Sequence, residues 1–130
     1  MTFKVLSHYE RLGGAQPLQA LVQRFYELMD RLPQAQGIRA MHDGDLAVIR
    51  EKLFDFLSGW LGGPQLYVEK YGHPQLRMRH MPFPIGVAER DAWMDCMTQA
   101  MEEVGVEAEL RETLRNALFK TADFMRNQPE

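Results

Sequence analysis

"GWLGGPQLYVEKYGHPQLRMRHMPFPIG", residues 59–86, differs in kind from the chain on either side of it and sets the limits of its fold. Gly59, Gly62, Gly63, Pro64, Gly72, Pro74, Pro82, Pro84 and Gly86 break it too often for a continuous helix, because proline removes a backbone donor and clashes with the preceding turn. Between Pro74 and Pro82 there is room for a helix of about two turns, with Pro74 in its first turn and His80 in its last.

On both sides of this stretch the apolar residues recur at helical spacing. In residues 16–32, "QPLQALVQRFYELMDRL", Leu18, Leu21, Val22, Phe25, Leu28, Met29 and Leu32 form one stripe, with Tyr26 beside it. Residues 45–61, "DLAVIREKLFDFLSGWL", place Leu46, Ile49, Leu53, Phe56, Leu57 and Trp60 on one side. Arg50, Glu51, Lys52 and Asp55 lie mostly on the other, and Asp45 serves as the N-cap. Two further helices follow, over 88–105 with Trp93, Met97, Ala100, Met101 and Val104 inward, and over 107–125 with Leu110, Leu114, Ala117, Leu118, Thr121 and Met125 inward. Gly105 is a natural stop between them. A short helix precedes "LGG" at 12–14, and no run alternates as a strand would. The expected class is all-α.

The chain's 130 residues, 45% apolar and 25% charged, suit one globular domain over 1–130. A net charge of -3 gives no general attraction to nucleic acid or an anionic membrane, and no segment is apolar enough to span one. The single cysteine, Cys96, excludes an intrachain disulfide. The opening "MTFKVLSHYERLGG" has polar and acidic residues where a signal peptide carries an apolar run, so a cytoplasmic location is expected.

His80, at the end of a short helix and followed by the stiff "MPFPIG", is held where a ring could enter an interior. The alternative is a solvated histidine at a helix C-terminus, where the dipole favours its charged form. Arg77 and Arg79 oppose that charged form, and a metal ligand is neutral at its coordinating nitrogen. A zinc site is not spaced correctly: His73 and His80 are seven apart and Cys96 is alone. One fixed histidine beside a large apolar interior points to a metal that brings its own equatorial ligands, haem. Met78 and Met81 are expected on the His80 side.

"FYELM", "KLFDFLSGWLGGPQLY", "GHPQLRMRHMPF" and "RDAWMDCM" stand in the order and spacing of the truncated haemoglobins of the second group, which the chain resembles from "RLGG" to "KTADF". The resemblance implies a shortened globin, two helices packed over two around haem b. It makes His80 the proximal iron ligand and puts Tyr26, His42 and Trp93 on the ligand side, with Ile49, Leu53 and Phe56 lining it. Lys52, Tyr67 and Arg79 fall on positions near the haem propionates, and Phe83 lies in the "RHMPF" that follows the proximal ligand.

Each of these residues also has an ordinary role. Tyr26 could be a core tyrosine, although a hydroxyl in a closed apolar pocket needs a partner. Trp93 could be packing, but its indole only donates, which favours dioxygen or an anion over an apolar guest. His42, in "MHDGDL", could be a solvated turn residue. Lys52, Arg77 and Arg79 could be exposed cations, and Cys96 reads as a buried structural thiol. Ile49 cannot donate, so polar stabilisation falls to Tyr26, Trp93 and His42.

The expected function is reversible binding of dioxygen, with anions such as cyanide or fluoride as further ligands. An enzymatic alternative is oxidation of nitric oxide or reduction of peroxide in the same pocket, with an electron donor the sequence does not name. In a haem-free helical interaction module, Tyr26, Trp93 and His80 would be packing residues.

Overall fold

The computed structural model describes residues 5–42 and 44–129. Helix α1, His8–Leu12, starts at a capping box in which Ser7 accepts from the Glu10 amide and the Glu10 side chain accepts from Ser7. Gly13 and Gly14, at φ +112° and +91°, turn the chain through a left-handed conformation that side chains resist, and α2, Ala15–Arg31, follows. A 3-10 turn at Pro33–Ala35 leads into α3, Gln36–Met41. Helix α4, Leu46–Trp60, begins where Asp45 accepts from the Ala47 amide at 2.8 Å, as its sequence position leads one to expect. The order continues with α5, Leu66–Tyr71; α6, Leu76–His80; α7, Val87–Glu103; and α8, Ala108–Phe124. There is no strand among the described residues.

The chief packing partners are α2 with α4, α2 with α7, and α7 with α8. Two helices therefore lie over two, the all-α arrangement expected of a shortened globin. Phe25, Leu18, Met29, Met97, Met101, Leu110 and Leu114 are the largest fully buried apolar side chains. Three of them are methionines, whose unbranched thioethers fill irregular gaps between crossing helices.

The structure departs from the sequence pattern in four places. Residues 36–41 and 66–71 are helical although neither segment shows a stripe. Within α3 only Ile38 is buried, and no residue of α5 is, so one- or two-turn helices of this kind leave no period to read. The Gln36 side chain donates to the Asp30 and Leu32 carbonyls, tying α3 to the end of α2. Helix α6 is five residues long and begins at Leu76, which leaves Pro74 outside it. Asp55, grouped by sequence with the polar side of α4, is only 2% exposed, and the Lys70 ammonium of α5 donates to it at 2.8 Å. A buried carboxylate needs such a partner.

The Tyr9 amide donates to the Leu61 carbonyl at 2.9 Å, which docks α1 on the end of α4. A Cβ on Gly63 would lie 2.5 Å from the Tyr9 ring, closer than carbon atoms approach. Gly63→Ala is expected to cost about 1–3 kcal/mol through overpacking. In urea this would lower the unfolding midpoint with an unchanged slope.

Candidate functional site

A cavity of about 440 Å³ opens between α2, α3, α4, α6, α7 and α8. Its walls are mostly apolar: Ile38, Ile49, Leu53, Phe56, Leu57, Leu76, Ile85, Leu118 and Met125 are among the lining residues. Tyr26, His42, His80, Phe83 and Trp93 line it as well. Eight of the residues singled out from sequence, namely Tyr26, His42, Ile49, Leu53, Phe56, His80, Phe83 and Trp93, thus share one space.

His80 reaches this space from the last position of α6, and its Nδ1 lies 2.6 Å from the Leu76 carbonyl one turn earlier. A carbonyl can only accept, so Nδ1 carries the proton and neutral His80 keeps its lone pair on Nε2. The same local device fixes His42: its Nδ1 donates to the Ile38 carbonyl at 2.7 Å. The 3-10 turn and α3 carry the chain after Tyr26 back on itself, so that the Tyr26 and His42 rings stand edge to face at 5.8 Å. Phe25 joins this group, 5.0 Å from Tyr26 and 5.1 Å from Trp93 between ring centres. Neither the Tyr26 hydroxyl nor the Trp93 indole N–H has a hydrogen-bond partner among the described residues, although the Tyr26 side chain is buried. Both therefore remain available to a polar guest.

Burial holds the Tyr26 phenol far above the ordinary range, so it is a hydroxyl donor and not a phenolate at neutral pH. Burial is also the main cause that lowers the His42 pKa; the Ile38 carbonyl opposes it, and Arg39 and His80 add to it. At neutral pH His42 offers the cavity an acceptor at Nε2, and the donor role foreseen for it requires protonation at lower pH. The neutral ring is favoured by the fold, so its contribution to stability is full above about pH 6.5, the unfolded value, and is lost as pH falls through the lowered folded value. His42→Phe should therefore make urea stability fall less steeply on acidification below about pH 6.5 than in the parent. Equal slopes in the two proteins would return His42 to the solvent.

Lys52, Tyr67 and Arg79 do not line this cavity. Lys52 is exposed, with its ammonium 5.4 Å above the Tyr71 ring. Tyr67 stands edge to face with Phe56 at 6.3 Å and faces a second, smaller cavity of about 200 Å³ beside Asp55, Trp60 and Gln65. Arg79 is exposed and its Nε donates to the Pro74 carbonyl at 2.9 Å. The expectation for Met78 and Met81 is not met: both point outward, 60% and 54% exposed, because α6 is too short to wrap a second face around the cavity. Cys96 is fully buried with its thiol pushed up to about 11, as befits a structural cysteine.

Sequence reasoning missed Glu89 and Arg90, which also border the cavity. Glu89 accepts from the Gly86 amide at 2.7 Å and so caps α7, while Arg90 is held by Asp123 at 2.8 Å and Asp91 at 2.9 Å and lies 4.8 Å over the Phe119 ring. Glu89 is thus occupied in capping α7, and Arg90 in holding α7 against α8. "RDAW" drew attention to Trp93 alone, and no signal in the sequence marked its first arginine.

A two-over-two helical sandwich around an apolar cavity, lined by two histidines, a tyrosine and a tryptophan, is the architecture of a truncated globin. Residues 7–127 match the bacterial-like globins, and the chain belongs to that family. It is 44% identical over 122 residues to the group 2 truncated hemoglobin YjbI of Bacillus subtilis, a match covering 94% of this chain and 89% of the relative. Its structure is similar to the group II 2-on-2 hemoglobin of the plant pathogen Agrobacterium tumefaciens, with a TM-score of 0.93 and 47% identity over 99% of this chain and 100% of that one. The truncated oxygen-avid haemoglobin of Bacillus subtilis is similar at a TM-score of 0.85 and 43% identity, covering 94% and 100%. Membership of this family implies a haem-binding, oxygen-binding globin. No described helix is long and apolar enough to cross a membrane.

Proposed function

We propose that the cavity binds one haem b with His80 Nε2 as its protein ligand, and that the protein binds dioxygen reversibly there. The observation that carries this is the pairing of His80 Nδ1 with the Leu76 carbonyl, which leaves Nε2 as the open lone pair of a half-buried ring that lines the cavity. The chemistry of the surroundings fits the group: apolar walls suit a flat macrocycle, and the unpaired Tyr26 and Trp93 donors suit a polar ligand beside it. Lys52 and Arg79, both exposed, are offered as cations for the haem carboxylates, and the Tyr67 hydroxyl as a further donor to them. Bound there, haem would supply an iron that His80 would hold and that could take up a diatomic ligand.

The chain's own residues determine which ligands are favoured. Tyr26 and Trp93 donate to a guest that carries negative charge density, whereas Ile49, Leu53 and Phe56 exclude water from the same space. Dioxygen is favoured over a neutral apolar gas on this account, and cyanide and fluoride are further candidates for the ferric protein. The oxygen-avid relative supports the reading. Repeated oxygenation and deoxygenation of the reduced, haem-loaded protein, followed by absorption, should return the starting spectrum each cycle. Rapid consumption of nitric oxide, or of peroxide with a reductant, at rates exceeding oxygen release would assign the same pocket to an enzyme.

A further inference from the structure

We infer that Asn127 is a positioning residue for His80, an inference that rests on the proposed role of that histidine as iron ligand. Helix α6 cannot hold its own shape. It has five residues, none buried, and its N-cap, Gln75, sits at φ +48° without a side-chain cap. An isolated turn of this length is unstable in water. Its rigidity comes instead from the segment just after α8.

Asn127 meets the chain that leaves α6 with both polar atoms of its side chain and with its backbone amide. Its Oδ1 accepts from the Ile85 amide at 2.9 Å, its Nδ2 donates to the His80 carbonyl at 3.2 Å and to the Phe83 carbonyl at 2.8 Å, and its own amide donates to the Ile85 carbonyl at 2.8 Å. The partners fix which way the amide faces, since the Ile85 N–H can only donate and the two carbonyls can only accept. Arg77 adds a second tie, donating from Nη1 to the Phe124 and Arg126 carbonyls at 2.7 Å each. His80 is thus held twice: its ring by the Leu76 carbonyl at 2.6 Å, its backbone carbonyl by Asn127 and by the Phe83 amide at 3.0 Å. The ring tie alone sets the tautomer but leaves the whole turn free to tilt, and Asn127 removes that freedom. A primary amide is the side chain that can accept from one strand of this turn while donating twice to the other. Asparagine there fixes how far and at what angle Nε2 enters the cavity, as outer partners of a metal-bound histidine do.

The test compares the parent with Asn127→Ala and Asn127→Asp, and with Gly63→Ala as a variant destabilised at a remote point. In the reduced, ligand-free, haem-loaded protein the iron–histidine stretching band should shift and broaden in both Asn127 variants and stay unmoved in Gly63→Ala. Haem release to an excess of apomyoglobin should quicken about tenfold in Asn127→Ala, the effect of roughly one net hydrogen bond. In the haem-free protein the Phe83 amide, which donates to His80, should exchange with solvent faster in Asn127→Ala than in the parent. Asn127→Asp keeps the acceptor for Ile85 but loses both donors, so it serves if the alanine variant loses its helical spectrum. An unmoved band and unchanged release in a folded Asn127 variant would overturn the inference. A parent without any iron–histidine band would instead overturn the reading of His80, and the Phe83 exchange rate would still decide whether Asn127 holds the turn.

Discussion

His80→Ala should lower haem affinity by on the order of a hundredfold or more, because replacing even an outer partner of a metal ligand costs 10–100-fold and this change removes the ligand itself. The remaining histidines differ in what they can offer. His73 is exposed and its Nδ1 accepts from the Gln75 amide at 3.1 Å. His8 lies on α1, away from the cavity lining. His42 is the one rival, since it lines the same cavity and its Nδ1 is likewise spent on a carbonyl, leaving Nε2 free. Residual uptake in His80→Ala should therefore disappear when His42→Phe is added. Added imidazole should restore the spectrum of the parent in the single variant by filling the space of the lost ring. A double variant that still takes up haem with the parent's reduced spectrum would remove His80 from the centre of the account.

Tyr26→Phe combined with Trp93→Phe should speed oxygen release by much more than either change alone. Each removes a donor that has no other partner among the described residues. A hydrogen bond to a charged or strongly polarised acceptor is worth about 1.5–3 kcal/mol, which corresponds to roughly tenfold to hundredfold in a dissociation rate. The two side chains meet through Phe25, whose ring lies 5.0 Å from Tyr26 and 5.1 Å from Trp93. Donors this close to one another can substitute, so the single variants should show less than the additive expectation. Tyr26→Phe keeps a ring of the same size, whereas Trp93→Phe keeps an aromatic ring but a smaller one, so the haem content of each variant is checked beside its rate. Stopped-flow release of oxygen in the two single variants and the double gives the coupling directly. Unchanged rates in all three would contradict the assignment of these donors.

The long helices were legible because each buries a stripe: α2, α4, α7 and α8 all carry apolar residues at spacings of three and four, and their ends are marked by Asp45 and Gly105. The residues that line the cavity were legible for a different reason, chiefly the family resemblance. His80 is framed by Pro74, Pro82 and Pro84, and Tyr26, Ile49, Leu53, Phe56 and Trp93 fall on the inward faces of those same helices. What escaped notice depends on contacts distant in sequence. Asp55 sits among charged neighbours on α4 and is buried with Lys70 of α5 as its partner. Asn127 looks like an ordinary polar residue after a helix until Ile85 and His80 are brought against it. His42 was visible as a residue but not as an acceptor, since its protonation follows from burial and from the Ile38 carbonyl, neither of which a sequence displays. Lys52 and Arg79 rest on the family resemblance alone, and both are exposed and outside the cavity lining.

Titration of haem into the haem-free protein, followed by absorption and repeated in the reduced state, goes to the centre of the account. One haem per chain, with a sharp end point and the reduced spectrum of a five-coordinate iron held by one histidine, is the expected result. A titration that runs on without an end point, with the spectrum of free haem throughout, would contradict the assignment of the cavity and make Tyr26, Trp93 and His80 packing residues of a helical protein that binds something else.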